Sequence, residues 1–156
     1  MTRLRLSLLG LVLSAAMSAS ALAAPQGTRT LGTPHDFGTL VQRVEAAVKA
    51  HKMFVVTRAS ASKGAAGRGI TIPGNMVLGV YRNDFAVRML EASVPAGIEA
   101  PIRFYVTENP DGTASLGYRT PSAVFAPYED GGAALAALAG ELDAIFAAIA
   151  ADAVAP

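Results

Sequence analysis

The stretch Ile102-Arg103-Phe104-Tyr105-Val106-Thr107 decides the fold. Ile102, Phe104 and Val106 alternate with Arg103, Tyr105 and Thr107, and a period of two puts one set on each face of a strand. An apolar set backed by a polar one is the pattern of an antiparallel strand with one face buried and the other in water. Pro110-Asp111-Gly112 follows with the residue types of a tight turn, and Thr113 to Tyr118 returns as the second arm of a hairpin.

Upstream of the hairpin, Pro95 and Pro101 bracket a connection, and Asp84 is placed to cap a short helix running through about Glu91. Met76 to Tyr81 and Met53-Phe54-Val55-Val56-Thr57 read as strands by composition, separated by a polar, Gly-rich loop from Ala59 to Gly69. Further back, Phe37, Leu40, Val41, Val44, Ala47 and Val48 form one apolar stripe at helical spacing. This predicts a helix from about Pro34 to Ala50. Thr33 is its cap, Pro34 takes the first position, and Lys49, His51 and Lys52 sit at the cation-favouring C-terminal end. Thr30-Leu31 begins a first edge strand. Downstream, Pro121 to Tyr128 is irregular or a single helical turn. Glu129-Asp130-Gly131-Gly132 then opens a long Ala-rich helix with Leu135, Leu138, Leu142, Ile145, Phe146 and Ile149 on its inner stripe.

The resulting order is β-α-β-β-α-β-β-α, without the βαβ repeats of a parallel doubly wound sheet. The expected class is α+β: an antiparallel sheet with helices packed on one face. Composition agrees with one such domain. Of the 156 residues 52% are hydrophobic, but 32 are Ala, leaving about 49 larger apolar side chains. That is an ordinary core for one domain.

Met1-Thr2-Arg3-Leu4-Arg5, the apolar run Leu6 to Met17 and Ala21-Leu22-Ala23 have the layout of a cleavable export signal, cut after Ala23. The apolar run is short of the ~20 residues a spanning helix needs. The organisation read from the sequence is therefore a signal peptide at 1–23, a lead-in and first edge strand at 24–32, and a single domain at 33–156, periplasmic or secreted. No membrane span is expected after cleavage. Formal net charge is +1 from 13 Lys+Arg against 12 Asp+Glu, and −1 without Arg3 and Arg5. Such a balance gives no global basic excess to grip nucleic acid. Zero Cys excludes disulfides, thiolate metal sites and cysteine nucleophiles.

Several blocks carry a family resemblance. Gly69-Ile70-Thr71-Ile72-Pro73, followed by a strand and Tyr81-Arg82-Asn83-Asp84, resembles the middle of the domain of unknown function 302 family. So do Pro101-Ile102-Arg103-Phe104-Tyr105-Val106, Asp111-Gly112 and Gly117-Tyr118-Arg119-Thr120-Pro121. With the Asp36-Phe37 helix and the Leu142-Asp143-Ala144-Ile145 helix, the likeness spans about 33–150. The resemblance implies a small TATA-box-binding-protein-like α/β fold, often dimeric, with no established activity. Fold likeness to that class does not imply DNA binding. The chain departs from the family twice. Arg82-Asn83-Asp84 stands where members commonly have a Gly-Asn-Pro turn, and Ser60 to Lys63 lacks the Asp-His pair many carry before the Gly-rich stretch.

The candidate chemistry is sparse. Lys63-Gly64-Ala65-Ala66-Gly67-Arg68-Gly69 has glycines and cations suited to a phosphate, but neither the Walker nor the dinucleotide spacing. A solvated loop is the simpler reading. No Ser lies in a G-x-S-x-G elbow, and no carboxylate pair is placed across a cleft by the sequence. His35 and His51 sit about 16 residues apart on one helix, hence ~24 Å, too far to share a metal within a subunit. His51 with Met53 remains an alternative soft-metal (copper) pair. Arg103, Tyr105, Tyr118 and Arg119, on or beside the hairpin, offer charge and aromatic area for a small anionic or planar ligand or for a second subunit. Asn83 is a weaker candidate, since a turn entering a helix also favours a local cap. The expected function is a non-enzymatic homodimeric module binding a small ligand or a partner on the hairpin face, with no cofactor. The alternative is periplasmic copper handling.

Overall fold

The computed structural model describes residues 24–156. The proposed export signal lies outside the described residues. The strands are β1 (Thr28–Thr33), β2 (Phe54–Ala59), β3 (Asn75–Tyr81), β4 (Ile102–Glu108) and β5 (Ala114–Arg119). The helices are α1 (Phe37–Ala50), α2 (Ala61–Ala66), α3 (Asn83–Ala92), α4 (Pro121–Phe125) and α5 (Gly132–Val154), with 3₁₀ segments at Pro95–Glu99 and Glu129–Gly131. The five strands form one antiparallel sheet in the order β1-β5-β4-β3-β2. The α+β class and the element order expected from the sequence hold.

Alternation builds the core. Met76, Leu78 and Val80 of β3, Ile102, Phe104 and Val106 of β4, and Ala114, Leu116 and Tyr118 of β5 are buried on one face. Helices α1, α3 and α5 close over them through Leu40, Val44 and Val48, Phe85 and Met89, and Leu135, Leu138, Phe146 and Ile149. Phe104 stacks on Phe146 at 4.9 Å between centroids, and Tyr118 lies tilted 5.2 Å from Phe104. Helix α5 with its preceding turn is long and apolar enough, by length and composition, to cross a membrane. Here its apolar stripe covers the sheet, with Ile145 only partly buried.

Both ends of the chain are tied together. β1 pairs with β5, and α1 packs along α5. Arg43 of α1 donates from Nε to the Ala153 carbonyl at 2.8 Å and from Nη2 to those of Asp152 and Ala155. His35 places Nε2 2.7 Å from the Ala155 carbonyl. These donors satisfy carbonyls that a helix C-terminus leaves unpaired.

Local differences from the sequence reading have physical causes. The cap of α1 is Asp36, whose carboxylate accepts from the Thr39 N–H at 2.9 Å, so the helix begins later than Pro34. Ser60 caps a short helix inside the segment expected to be loop, accepting from the Lys63 N–H. Arg82, not Asp84, holds the cap position of α3 without a side-chain cap bond. Asp84 turns back instead to pair with Arg82 at 2.7 and 3.0 Å.

Candidate functional site

The sheet face opposite the helices is open, and its rows follow from register. The β4–β5 pairing ends at Phe104 and Tyr118; Arg103 and Arg119 are the next residues beyond that pair, and both line one groove. Thr28 flanks Arg119 on β1, and Gly79 flanks Arg103 on β3. The next row runs Thr30, Gly117, Tyr105, Val77 across β1, β5, β4 and β3. At the β1–β5–β4 end of these rows lies a groove of about 290 Å³, which continues round the end of the strands toward Glu99 and Val124.

The charges in this groove are unbalanced. Among the described residues the ion pairs join His51 to Asp152, Arg58 to Glu45, Arg82 to Asp84 and Arg88 to Glu141, and none includes Arg103 or Arg119. Arg119 donates through Nη2 to the Ala123 carbonyl at 2.9 Å, which orients it and leaves the rest of its fork free. Among the described residues the one acid lining the groove is Glu99, which accepts from the Tyr128 hydroxyl at 2.7 Å. That bond also holds the Tyr128 phenol above its ordinary pKa. Like charges that line one groove repel. An anion between the two guanidiniums removes that cost and gains charge-assisted hydrogen bonds.

Of the residues singled out in the sequence, Arg103, Tyr105 and Arg119 are brought together on this face. Tyr118 touches the groove but points the other way. It shares the parity of Leu116 and Ala114, so its ring packs among Phe104 and Phe146 with only 9% exposure. Burial raises its phenol pKa. Asn83 lies elsewhere, in the first turn of α3, where its carboxamide oxygen accepts from the Tyr81 hydroxyl at 3.4 Å. His51 Nε2 sits 2.7 Å from the Asp152 carboxylate, while Met53 is buried in the core. No group of three or more His, Asp or Glu side chains suited to a metal ion occurs among the described residues.

Sequence reading missed Thr28, Thr30, Gly117 and Glu99. Gly117 was discoverable, because it falls between Leu116 and Tyr118 and must therefore face away from the core. A second space, of about 30 Å³ beneath α3, is lined chiefly by apolar side chains such as Met53, Phe85 and Phe146, and contributes no comparable charge.

Comparison with known proteins places this geometry. No curated protein matches the chain. Among solved structures, the fold is similar to the crystal structure of an uncharacterized conserved DUF302 protein from Bacillus stearothermophilus. The TM-score is 0.72 at 19% identity, covering 83% of this chain and 99% of that one. At that identity the likeness establishes the fold. The family model for the domain of unknown function DUF302 matches residues 29–151, from the first strand through most of the last helix. The open-faced sheet, its helical cover and the match across both identify the chain as a member of the DUF302 family.

Proposed function

We propose that this DUF302 domain is an exported, homodimeric binding module that takes a small anionic ligand in the groove on the open face of its sheet. The observation that carries the reading is that Arg103 and Arg119, neither ion-paired to a carboxylate among the described residues, line one groove beside the half-exposed Tyr105. Arg103 supplies charge, Arg119 supplies a second fork held by the Ala123 carbonyl, and Tyr105 supplies contact area. Export rests on the n-region, apolar run and Ala-x-Ala pattern of the first 23 residues. Pairing of subunits is supported by exposed Val87, Leu90, Val94 and Ile98 on and after α3, the last two at 73% and 83% exposure.

The test is native mass spectrometry of protein recovered from the periplasm of a bacterial host, together with Arg103→Ala and Tyr105→Ala. The reading expects a chain beginning at Ala24, a dimer mass, and retained small-molecule mass lost in both variants while Tm is nearly unchanged. Removing one charge-assisted contact weakens binding roughly 10- to 100-fold. Retained ligand in both variants, or a large fall in Tm, overturns it.

A further inference from the structure

Resting on the anion-binding reading above, we propose that the ligand carries a flat ring, and that Gly117 is the residue selecting it. The ring occupies the slot over Gly117 between Thr30 and Tyr105, with its acidic group on Arg103 and Arg119.

Register sets the dimensions of the slot. Thr30 of β1 and Tyr105 of β4 occupy one row on either side of Gly117 of β5. They are therefore two strand spacings apart, about 9.6 Å. Between them the sheet carries no side chain. Carbon atoms in contact sit about 3.5–4 Å apart, so a planar ring standing in the gap meets Tyr105 on one face and Thr30 on the other. Tyr105 is 46% exposed, which leaves ring surface free for offset stacking. The arginines lie in the adjacent row, two residues along each strand, about 7 Å away. That offset is suited to an acid group attached directly to a ring or through one atom. Size agrees: a cavity of about 150 Å³ holds a benzene, and the groove offers about 290 Å³ for a ring and its acid group.

Gly117 is open to substitution. A Cβ there would meet the Tyr105 carbonyl oxygen at 3.7 Å and the Arg29 carbonyl oxygen at 3.8 Å, ordinary contacts. The folded backbone therefore does not itself demand glycine. Gly79, on the same face, is different: a Cβ there runs into Thr57 Oγ1 and the Pro101 ring. Glycine is required by packing at one position, whereas at Gly117 it keeps a slot clear.

The experiment compares wild type, Gly117→Val, Gly117→Ala and Arg103→Ala by isothermal titration with benzoate, phenyl phosphate, cyclohexanecarboxylate and inorganic phosphate, with Tm recorded for each variant. Wild type is expected to bind the aromatic acids at least tenfold more tightly than cyclohexanecarboxylate. Gly117→Val should lose at least tenfold for the aromatic acids, and Gly117→Ala a smaller factor, with phosphate binding unchanged. Arg103→Ala should weaken every anion. Should Gly117→Val bind benzoate as wild type does, or the saturated acid bind equally well, the ring assignment falls while the anion site stands. Absence of binding by all four anions overturns both.

Discussion

Phe104 and Tyr105 are neighbours in β4, of similar size, yet they belong to different environments. Phe104 has no exposed surface and is held between Tyr118 and Phe146, whereas Tyr105 stands beside Gly117 in a groove. The helix-covered face is filled by Leu, Val, Met and Phe. The open face carries Arg103 and Arg119, which join no ion pair among the described residues, together with hydroxyls and glycines. The packed core thus lies on one side of the sheet and the recognition we propose lies on the other, so that parity divides the side chains of β4 between the two.

The sharpest way to break this division is Phe104→Ala against Tyr105→Ala. The first should cost about 3–5 kcal/mol from lost burial and the cavity left behind, read by urea unfolding. The second should stay within about 1 kcal/mol. Similar losses for both would mean that the open face is covered by something that stabilises it. Next in size, Gly79→Ala should destabilise by about 1–3 kcal/mol, because its methyl group must displace Thr57 or Pro101. Gly117→Ala should remain within about 0.5 kcal/mol. Equal effects would erase the distinction between a packed and an unfilled glycine.

Arg103→Ala should raise Tm slightly at low salt by relieving like-charge repulsion from Arg119 in the same groove, and the gain should fade as salt screens it. A clear Tm loss would reveal a structural partner for the Arg103 guanidinium, whereas Arg119→Ala also gives up the bond to the Ala123 carbonyl. The smallest effect concerns acid. Hydrogen bonds from Thr39, Arg82, Thr113 and Arg88 hold the Asp36, Asp84, Asp111 and Glu141 carboxyls below their ordinary values of 3.8 for Asp and 4.5 for Glu. Depressed folded-state values mean that this stability is fully present above those ordinary values and is lost as pH falls through the folded ones. All four groups are exposed, so solvent screens them and the decline should be shallow. Thermal melts between pH 7 and 2 check this, and Asp36→Asn should flatten the slope.

Where a single physical pattern dominated, the fold was legible. Period-two alternation in β4 and the apolar stripes of α1 and α5 identified sheet, cover and face. Competing local bonds were harder to read. Thr33 and Asp36 both offer cap chemistry, and only the bond to Thr39 distinguishes them. Helix α2 was hidden because Gly64 lowers its propensity and its start depends on the Ser60 cap. At the site, charge and aromatic content pointed to Arg103, Tyr105 and Arg119, but the same criterion drew in Tyr118, whose parity with Leu116 argued for the core. Thr28 and Thr30 could not be assigned without knowing that β1 lies beside β5, a pairing between distant segments.

That pairing, with the clamp of Arg43 on the end of α5, has a consequence for how the molecule comes into being. Arg43 and the Ala153 carbonyl are 110 residues apart, and Thr28 of β1 pairs with Arg119 of β5 across an intervening stretch that holds every other strand. A nascent chain extending only through β4 has neither the strand that aligns β1 nor the helix that seals Phe104. Non-local closure of this kind is slow and gains its contacts only at the end. Synthesis at about 5–20 residues per second therefore leaves an interval of several seconds in which the polypeptide has no complete core. During that interval it remains open to a chaperone, or to a channel that threads unfolded chains.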